Sequence, residues 1–238
     1  MIDMKTFSTP DIYPIESIAF LGRTFDEYLR FFDLHDNVLA SQSTLDVSAG
    51  PSSFAAEASH RNFQVTACDP LYDRTASALG RVGSMDVESV LSKAAEQKQH
   101  FRFSHYSSME EVYRLRYEAL RRFSEDYPIG RALGRYVCAS LPELPFSDGS
   151  YDLVLNAHFL FLYGNRFDPS FIRQSLSELL RVSREEVLIY PLVQLNGERY
   201  PVESLREYFA SQGARMTVKS LDFEFFSGSN EFLSLTKL

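Results

Sequence analysis

The sequence has 238 residues, of which 45% are hydrophobic and 24% are charged. This composition is typical of a globular domain and excludes disordered, collagen-like and disulfide-stapled chains. The formal net charge of −8 is opposite to that of a surface that binds nucleic-acid phosphates, so we expect no DNA or RNA partner. We expect a single domain over residues 1–238, which begins with a helical segment over residues 1–40.

Hydropathy and cysteine content predict the compartment. The most apolar stretch, residues 153–163, is interrupted by Asn156 and His158 and is shorter than the ~20 residues of a membrane span. The N-terminus lacks the basic start and apolar centre of a signal peptide. Cys68 and Cys138 have no second Cys or His at metal-ligand spacing, which favours buried reduced thiols over a disulfide. We therefore expect a cytoplasmic protein without membrane association.

The first third of the chain predicts a helix, a strand, a turn, a helix and a strand. Residues 20–34 carry apolar side chains at the spacing of one helix face, which predicts an amphipathic helix. A strand at residues 43–47 is followed by the small-residue turn SAGPSS and the helix-forming segment FAAEASHR. FQVTAC predicts the next strand. The order indicates a βαβ unit.

Residues 71–135 predict two helices and no strand. The helices are expected over residues 86–98 and 109–127, and Ser108 with Glu111 forms a capping box for the second one. Strand-to-helix connections are usually ~2 to 6 residues long, so we interpret residues 71–135 as a helical insertion that caps a site. Its aromatic residues either form an acceptor pocket or belong to the core. They are Tyr106, Tyr113, Tyr117, Phe123 and Tyr127.

The remainder of the chain resumes the alternation and ends in two strands. Helices are predicted at residues 168–182 and 202–211. Strands are predicted at residues 136–139, 151–155, 186–190, 215–220 and 231–236. The short gap before the last strand allows antiparallel pairing. The pattern predicts an open α/β sheet.

A ligand site is indicated at residues 45–55, LDVSAGPSSFA, where an acidic strand end precedes small residues and a helix. Small residues let the backbone turn tightly and approach a ligand. Gly50 is the turn's only glycine, so an incidental connection remains the alternative. Asp69 ends the second strand, where a carboxylate accepts the hydroxyl hydrogens of a ribose, unless it is a solvated turn residue. Together these features favour a nucleotide-like ligand.

Three segments resemble the class I S-adenosylmethionine-dependent methyltransferases. They are LDVSAGPSSFAAEA, VTACDP and ASLPELPFSDGSYDLVLNAHFLFLY, and the resemblance is in register over residues 45–238. It implies a Rossmann-like, doubly wound, seven-stranded sheet with the last strand antiparallel. It also implies S-adenosyl-L-methionine as the cofactor.

The resemblance further implies roles for individual residues. The turn after the first strand holds the methionine part of the cofactor, the acid ending the second strand holds the ribose, and a residue after the third strand meets adenine. The corresponding residues are Asp46, Ser48, Ala49, Gly50, Pro51 and Ser52 for the turn, Asp69 with Pro70, and Ser140 with Leu141. Tyr28 and Arg23, near the first helix, are expected to close over the cofactor.

Three serines depart from the family's pattern. Ser48 and Ser52 stand where glycines are common, and Ser140 stands where an aspartate is usual. A side chain at position 48 requires an allowed backbone angle and narrows the pocket, although its hydroxyl can donate to the cofactor carboxylate. At position 140 one acceptor for the adenine amino group is lost, a hydrogen bond worth ~0.5 to 1.5 kcal/mol.

Methyl transfer is an in-line displacement, so the enzyme holds the nucleophile ~3 to 3.5 Å from the methyl group and deprotonates a hydroxyl acceptor. Asn156 and His158 follow the fourth strand, where either is placed to face the methyl group. We interpret His158 as the candidate base, with a hydrogen-bonded structural histidine as the alternative. No cluster with metal-ligand spacing is evident, so no metal is expected.

Three functions are compatible with these patterns. The first is a methyltransferase of an unidentified small-molecule acceptor. The second is a non-catalytic nucleoside-binding protein of the same fold that serves as a regulator or assembly partner. The third is a nicotinamide oxidoreductase, because Ser48, Gly50 and Ser53 occupy the spacing of a dinucleotide fingerprint. The oligomeric state has no signature in the sequence.

Overall fold

The computed structural model describes residues 17–238. The first sixteen residues of the predicted N-terminal segment lie outside this part. The α-helices are α1 (Phe25–Phe32), α2 (Asp36–Ser41), α3 (Phe54–His60), α4 (Ala76–Glu96), α5 (Met109–Ala132), α6 (Pro169–Val182) and α7 (Arg206–Ser211). The strands are β1 (Thr44–Val47), β2 (Val65–Asp69), β3 (Tyr136–Cys138), β4 (Tyr151–Ala157), β5 (Ser183–Tyr190), β6 (Ala214–Ser220) and β7 (Glu231–Lys237).

The seven strands form one sheet in the order β3-β2-β1-β4-β5-β7-β6. The first five strands in this order are parallel, and β7 is antiparallel to both β5 and β6. The predicted Rossmann-like, seven-stranded α/β sheet with an antiparallel last strand is therefore confirmed. In such a sheet the carboxyl ends of neighbouring parallel strands meet at one edge.

Two hydrophobic cores cover the two faces of the sheet. Strand β4 shows the division, because Leu153 and Leu155 belong to the core beneath α1, α3 and α5, whereas Val154 belongs to the core beneath α6 and α7. Successive side chains of a strand point to opposite faces. Buried strands of this kind carry the near-continuous apolar runs that predicted them.

The predicted insertion contains helices α4 and α5, which pack against each other. Helix α4 begins at Ala76, ten residues before the predicted residue 86, and the Thr75 side chain accepts a hydrogen bond from the Ala78 amide. Gly80 and Gly83 lower the helix propensity of the first half of α4, which is why the sequence did not predict a helix there. A Cβ at Gly83 would lie 2.6 Å from Leu120 of α5, so close helix packing explains this glycine.

Four further features of residues 17–238 bear on the sequence expectations. The short helix α2 was not predicted, and α5 continues beyond residue 127, through Pro128, to Ala132. Cys68 and Cys138 are free thiols, but Cys138 is exposed rather than buried because β3 is an edge strand. No described helix has both the length and the apolar character needed to span a bilayer.

Candidate cofactor and acceptor site

The turn between β1 and α3 has a conformation that few residues adopt. Ser48 and Gly50 have φ angles of 59° and 56°, a left-handed region that glycine enters freely and serine only under strain. The Ala49 amide donates to the Cys68 carbonyl at 3.1 Å, and the Gly50 amide donates to Asp69 Oδ2 at 3.0 Å. These bonds hold the turn against the end of β2. Strain of this kind concentrates at functional sites.

Asp69 ends β2 and shapes two loops at once. Its Oδ1 accepts the Leu71 amide at 2.9 Å, while Oδ2 accepts the Gly50 amide. Burial raises the pKa of Asp69 to about 6, and the two amide hydrogen bonds oppose this rise. Each carboxylate oxygen has further lone pairs, so Asp69 still has capacity to accept ligand hydroxyl groups.

Asp46 lies within β1, beneath the turn. It is completely buried, and neither of its carboxylate oxygens has a hydrogen-bond partner of good geometry among the described residues. Burial raises its pKa to about 8, with the Tyr28 hydroxyl opposing the rise and the charge of Asp69 adding to it. A buried acid without a partner is costly to ionise, and a cation bound above the turn would favour the ionised form.

Residues 18–23, which we term the strap, cross over this turn. A Cβ at Gly22 would lie 2.1 Å from the Pro51 carbonyl oxygen, so only glycine permits this approach. The Ser53 amide and the Ser52 hydroxyl both donate to the Arg23 carbonyl, at 3.0 and 2.9 Å. Sequence analysis assigned Ser52 to cofactor contact, but its hydroxyl joins the turn to the strap.

The strap, the turn and the loops after β2, β3 and β4 enclose a cavity of about 210 Å³, which we term the first cavity. Of the residues proposed from sequence, it is lined by Arg23, Tyr28, Ser48, Ala49, Gly50, Asp69, Pro70, Ser140, Leu141 and His158. Asp46, Pro51, Ser52 and Asn156 are not among its lining residues. Sequence analysis missed Ile18, Ala19, Phe20, Leu21, Leu71, Ala157 and Phe159. The strap residues carry no motif that signals a binding role.

The position of Asn156 corrects the expectation that it faces a ligand. Its side chain is completely buried. Its Nδ2 donates to the Val47 carbonyl at 2.9 Å, and its Oδ1 accepts the Leu160 amide at 3.1 Å. Both ends of the amide are therefore used to join the end of β1 to the segment after β4.

A second cavity, of about 100 Å³, adjoins the first and shares Leu21, Arg23 and His158 with it. Apolar and aromatic side chains dominate its walls. They are Phe31, Val90, Leu91, Ala94, Phe101, Tyr106, Val112, Leu162, Tyr190, Pro191, Leu195, Phe223, Phe225 and Phe226, with Arg116 and Ser229 as the further polar residues. Helices α4 and α5 of the insertion thus contribute to its enclosure.

Of the five aromatic residues considered for an acceptor pocket, only Tyr106 lines the second cavity. Phe123 and Tyr127 are buried in the core, where both rings contact Tyr72 and Tyr136. Tyr113 packs against that core, and Tyr117 is exposed. For these four residues the pocket interpretation is wrong, because α5 lines the cavity with Val112 and Arg116 and with none of its aromatic side chains.

His158 lies where the two cavities meet. Its φ angle is 55°, and its amide donates to the Tyr190 carbonyl at 2.6 Å. The Nδ1 atom is buried and has no hydrogen-bond partner among the described residues. Burial, followed by the charges of Arg23 and Arg116, holds the pKa of His158 well below its usual range. The imidazole is therefore neutral near pH 7 and retains a nitrogen that can accept a proton.

The strand order, the antiparallel β7 and the cavity at the carboxyl edge of the sheet define the class I S-adenosylmethionine-dependent methyltransferase fold. Mitomycin 7-O-methyltransferase MmcR shares this fold with a TM-score of 0.50 at 12% identity, over 90% of this chain and 54% of that chain. The magnesium protoporphyrin IX methyltransferase of Synechocystis PCC 6803, solved with bound SAM, has a TM-score of 0.46 at 12% identity, over 90% and 78% of the two chains.

A closer relative exists in sequence. The uncharacterized protein MJ0045 of Methanocaldococcus jannaschii is 30% identical over 226 residues, which cover 94% of this chain and 98% of that protein. The chain belongs to the same family as MJ0045. No family model matches the sequence.

Proposed function

We propose that the protein is an S-adenosylmethionine-dependent methyltransferase that binds its cofactor in the first cavity and a small-molecule acceptor in the second. The observation that carries this proposal is that the two cavities meet at His158. One cavity is bordered by the strained turn and Asp69, and the other is enclosed by apolar walls. Such an arrangement brings a donor and an acceptor together while excluding water, which accelerates a bimolecular reaction.

The residues of the first cavity fit the cofactor. Asp69 is placed to accept the ribose hydroxyls, and the backbone of Ser48 and Gly50 can approach the methionine part. Ser140 and Leu141 line the part of the cavity assigned to adenine, while Tyr28 borders it from α1. The unpartnered carboxylate of Asp46 beneath the turn suits a positively charged ligand.

When bound, the cofactor supplies a methyl group on a sulfonium sulfur; the new bond to the acceptor forms as the sulfur–carbon bond breaks, with its electron pair remaining on sulfur. The protein's task is to align the two groups. For a hydroxyl acceptor, His158 receives the hydroxyl proton and becomes an imidazolium. For a carboxylate acceptor no proton leaves, and the contribution of His158 is positioning alone.

Calorimetry with S-adenosylhomocysteine tests the cofactor assignment. We expect saturable binding, and at a ligand concentration of 100 times Kd a stabilisation of ~2.7 kcal/mol, or roughly 5 to 10 °C in Tm for a chain of this size. Reduced nicotinamide dinucleotide is the matched control ligand and is expected to cause no shift. Absence of heat and of a thermal shift at millimolar S-adenosylhomocysteine contradicts the proposal. Binding of S-adenosylhomocysteine without methyl transfer to any acceptor would favour the alternative of a non-catalytic nucleoside-binding protein.

A further inference from the structure

The polar side chains of the second cavity divide into those with partners and those without. Arg116 is buried and forms an ion pair with Glu27, at 2.8 Å from Nη1 to Oε2. The Tyr106 hydroxyl donates to the same carboxylate. Ser229 Oγ accepts the amides of the 225–226 segment and interacts with the Tyr190 hydroxyl. The groups that remain available to a ligand are the guanidinium of Arg23 and the imidazole of His158.

Among the described residues, Arg23 has no acidic partner. Within residues 17–238, no carboxylate lies at ion-pair distance from it, and its hydrogen bonds run from Nη1 to the carbonyls of Leu21 and Gly22, at 3.0 and 3.1 Å. Burial and the charge of Arg116 lower its pKa to about 10, with Glu27 opposing, so it remains protonated at neutral pH. Glu27 is already paired with Arg116, so within residues 17–238 the positive charge of Arg23 has no negative charge to balance it. Enclosing such a charge is costly unless an anion joins it.

The charge of Arg23 acts on groups of both cavities. It lowers the pKa of His158 after the larger effect of burial, and it also influences Tyr106 and Tyr190. At the first cavity it opposes the rise in the pKa of Tyr28 that burial causes, whereas the pKa values of Asp46 and Asp69 show no such effect. Arg23 thus lies at the boundary and lines both cavities, and three of the groups whose pKa its charge affects line the second cavity.

The rest of the second cavity is apolar. Phe31 stacks on Tyr190 with ring centroids 4.6 Å apart and meets Phe223 edge-on at 5.4 Å, so flat rings form one wall. An apolar cavity of ~150 Å³ accommodates benzene. The second cavity is smaller, at about 100 Å³, so a molecule with a single ring is the largest that it suits, with the polar end at the residues shared with the first cavity.

We propose that the acceptor is a small carboxylic acid with an apolar or aromatic ring, whose carboxylate pairs with Arg23 while the ring lies against Phe31 and Phe223. This inference rests on the proposed function and makes Arg23 the residue that selects acids over neutral molecules of the same shape. A guanidinium suits this role because its planar N–H groups match a carboxylate in a bidentate manner.

The test uses the protein saturated with S-adenosylhomocysteine and compares three acids with their neutral amides: benzoate, phenylacetate and cyclohexanecarboxylate. Calorimetry is expected to show that at least one acid binds tighter than its amide by about tenfold or more. Arg23→Gln is expected to abolish this preference, and Arg23→Lys to retain part of it. Arg81→Gln on the exposed face of α4 changes the net charge equally and is expected to leave the preference unchanged.

Four outcomes overturn the inference. They are equal binding of acid and amide, no binding of any acid at millimolar concentration, a preference that survives in Arg23→Gln, and loss of S-adenosylhomocysteine binding in a folded Arg23→Gln protein. The last outcome places the guanidinium in the cofactor site. Failure of the unmodified protein to bind S-adenosylhomocysteine is a separate result, because it removes the proposed function itself.

Discussion

At the scale of one residue, the Asp69 side chain both holds two loops in place and provides a hydrogen-bond acceptor in the first cavity. Its carboxylate accepts the amides of Gly50 and Leu71 and borders the first cavity. We expect Asp69→Asn to weaken S-adenosylhomocysteine binding by ~10- to 100-fold, because a hydrogen bond to a charged acceptor contributes ~1.5 to 3 kcal/mol. Calorimetry measures the change. Asp73→Asn, at a nearby exposed position, is the matched control, and an unchanged Kd for Asp69→Asn contradicts the ribose assignment.

His158 is the second residue whose role can be measured directly. We expect His158→Gln to lower turnover of a hydroxyl acceptor by ~10²-fold, as for the loss of a general base, with little change in cofactor affinity. The measurement is the rate at saturating cofactor, and His60→Gln at an exposed position is the control. Full activity of His158→Gln on a hydroxyl acceptor is incompatible with the base assignment.

At the scale of elements, the strap depends on its close approach to the turn after β1. A Cβ at Gly22 would meet the Pro51 carbonyl oxygen at 2.1 Å, whereas a Cβ at Gly80 in α4 would make an ordinary 3.8 Å contact with Ser124. We expect Gly22→Ala to destabilise the protein by ~1 to 3 kcal/mol through overpacking and to weaken cofactor binding. Gly80→Ala is expected to stabilise helix α4 by up to ~1 kcal/mol.

Chemical denaturation and calorimetry of the two alanine variants separate these effects. The variants carry the same chemical change, so a difference between them reports the position of the methyl group rather than its presence. Equal stability and equal cofactor affinity of the two variants would mean that the strap does not pack on the turn as described.

At the scale of the whole molecule, the buried acids connect stability to pH. Burial raises the pKa of Asp46 to about 8, so between about pH 4 and pH 8 the folded protein holds a proton that the unfolded chain releases. Stability contributed by this group is therefore complete at the acidic end of that window and is lost as the pH rises through it. We expect the free energy of unfolding of Asp46→Asn, measured by denaturation across this range, to fall less steeply than that of the unmodified protein.

Binding of the positively charged cofactor is expected to favour ionised Asp46 and to release a proton near pH 7. Calorimetry in two buffers of different ionisation enthalpy detects this release, and Asp46→Asn removes it. Identical pH profiles for the unmodified protein and Asp46→Asn would show that Asp46 has an ordinary pKa in the folded state.

The sequence by itself determined the order of the strands and of the longer helices, and the location of the small-residue turn after β1. These features are local. The apolar strand runs, the small residues after β1 and the Asp168 side chain, which accepts the Ser170 amide at the start of α6, each act within a few neighbours. Parallel strands then bring their carboxyl ends together at one edge. The predictions failed where local preference was weak, as in the first half of α4 with its two glycines.

Only the tertiary structure decided which side chains meet. Asn156 and His158 are two residues apart, yet the first joins β1 to the segment after β4 and the second faces both cavities. The strap, the position of Arg23 between the two cavities and the wall formed by Phe31 and Phe223 depend on contacts between segments far apart in the chain. The periodicity of apolar residues indicates which face of a helix or strand is buried. A cavity, however, is formed by the faces of several elements together, so no local sequence pattern predicts its lining.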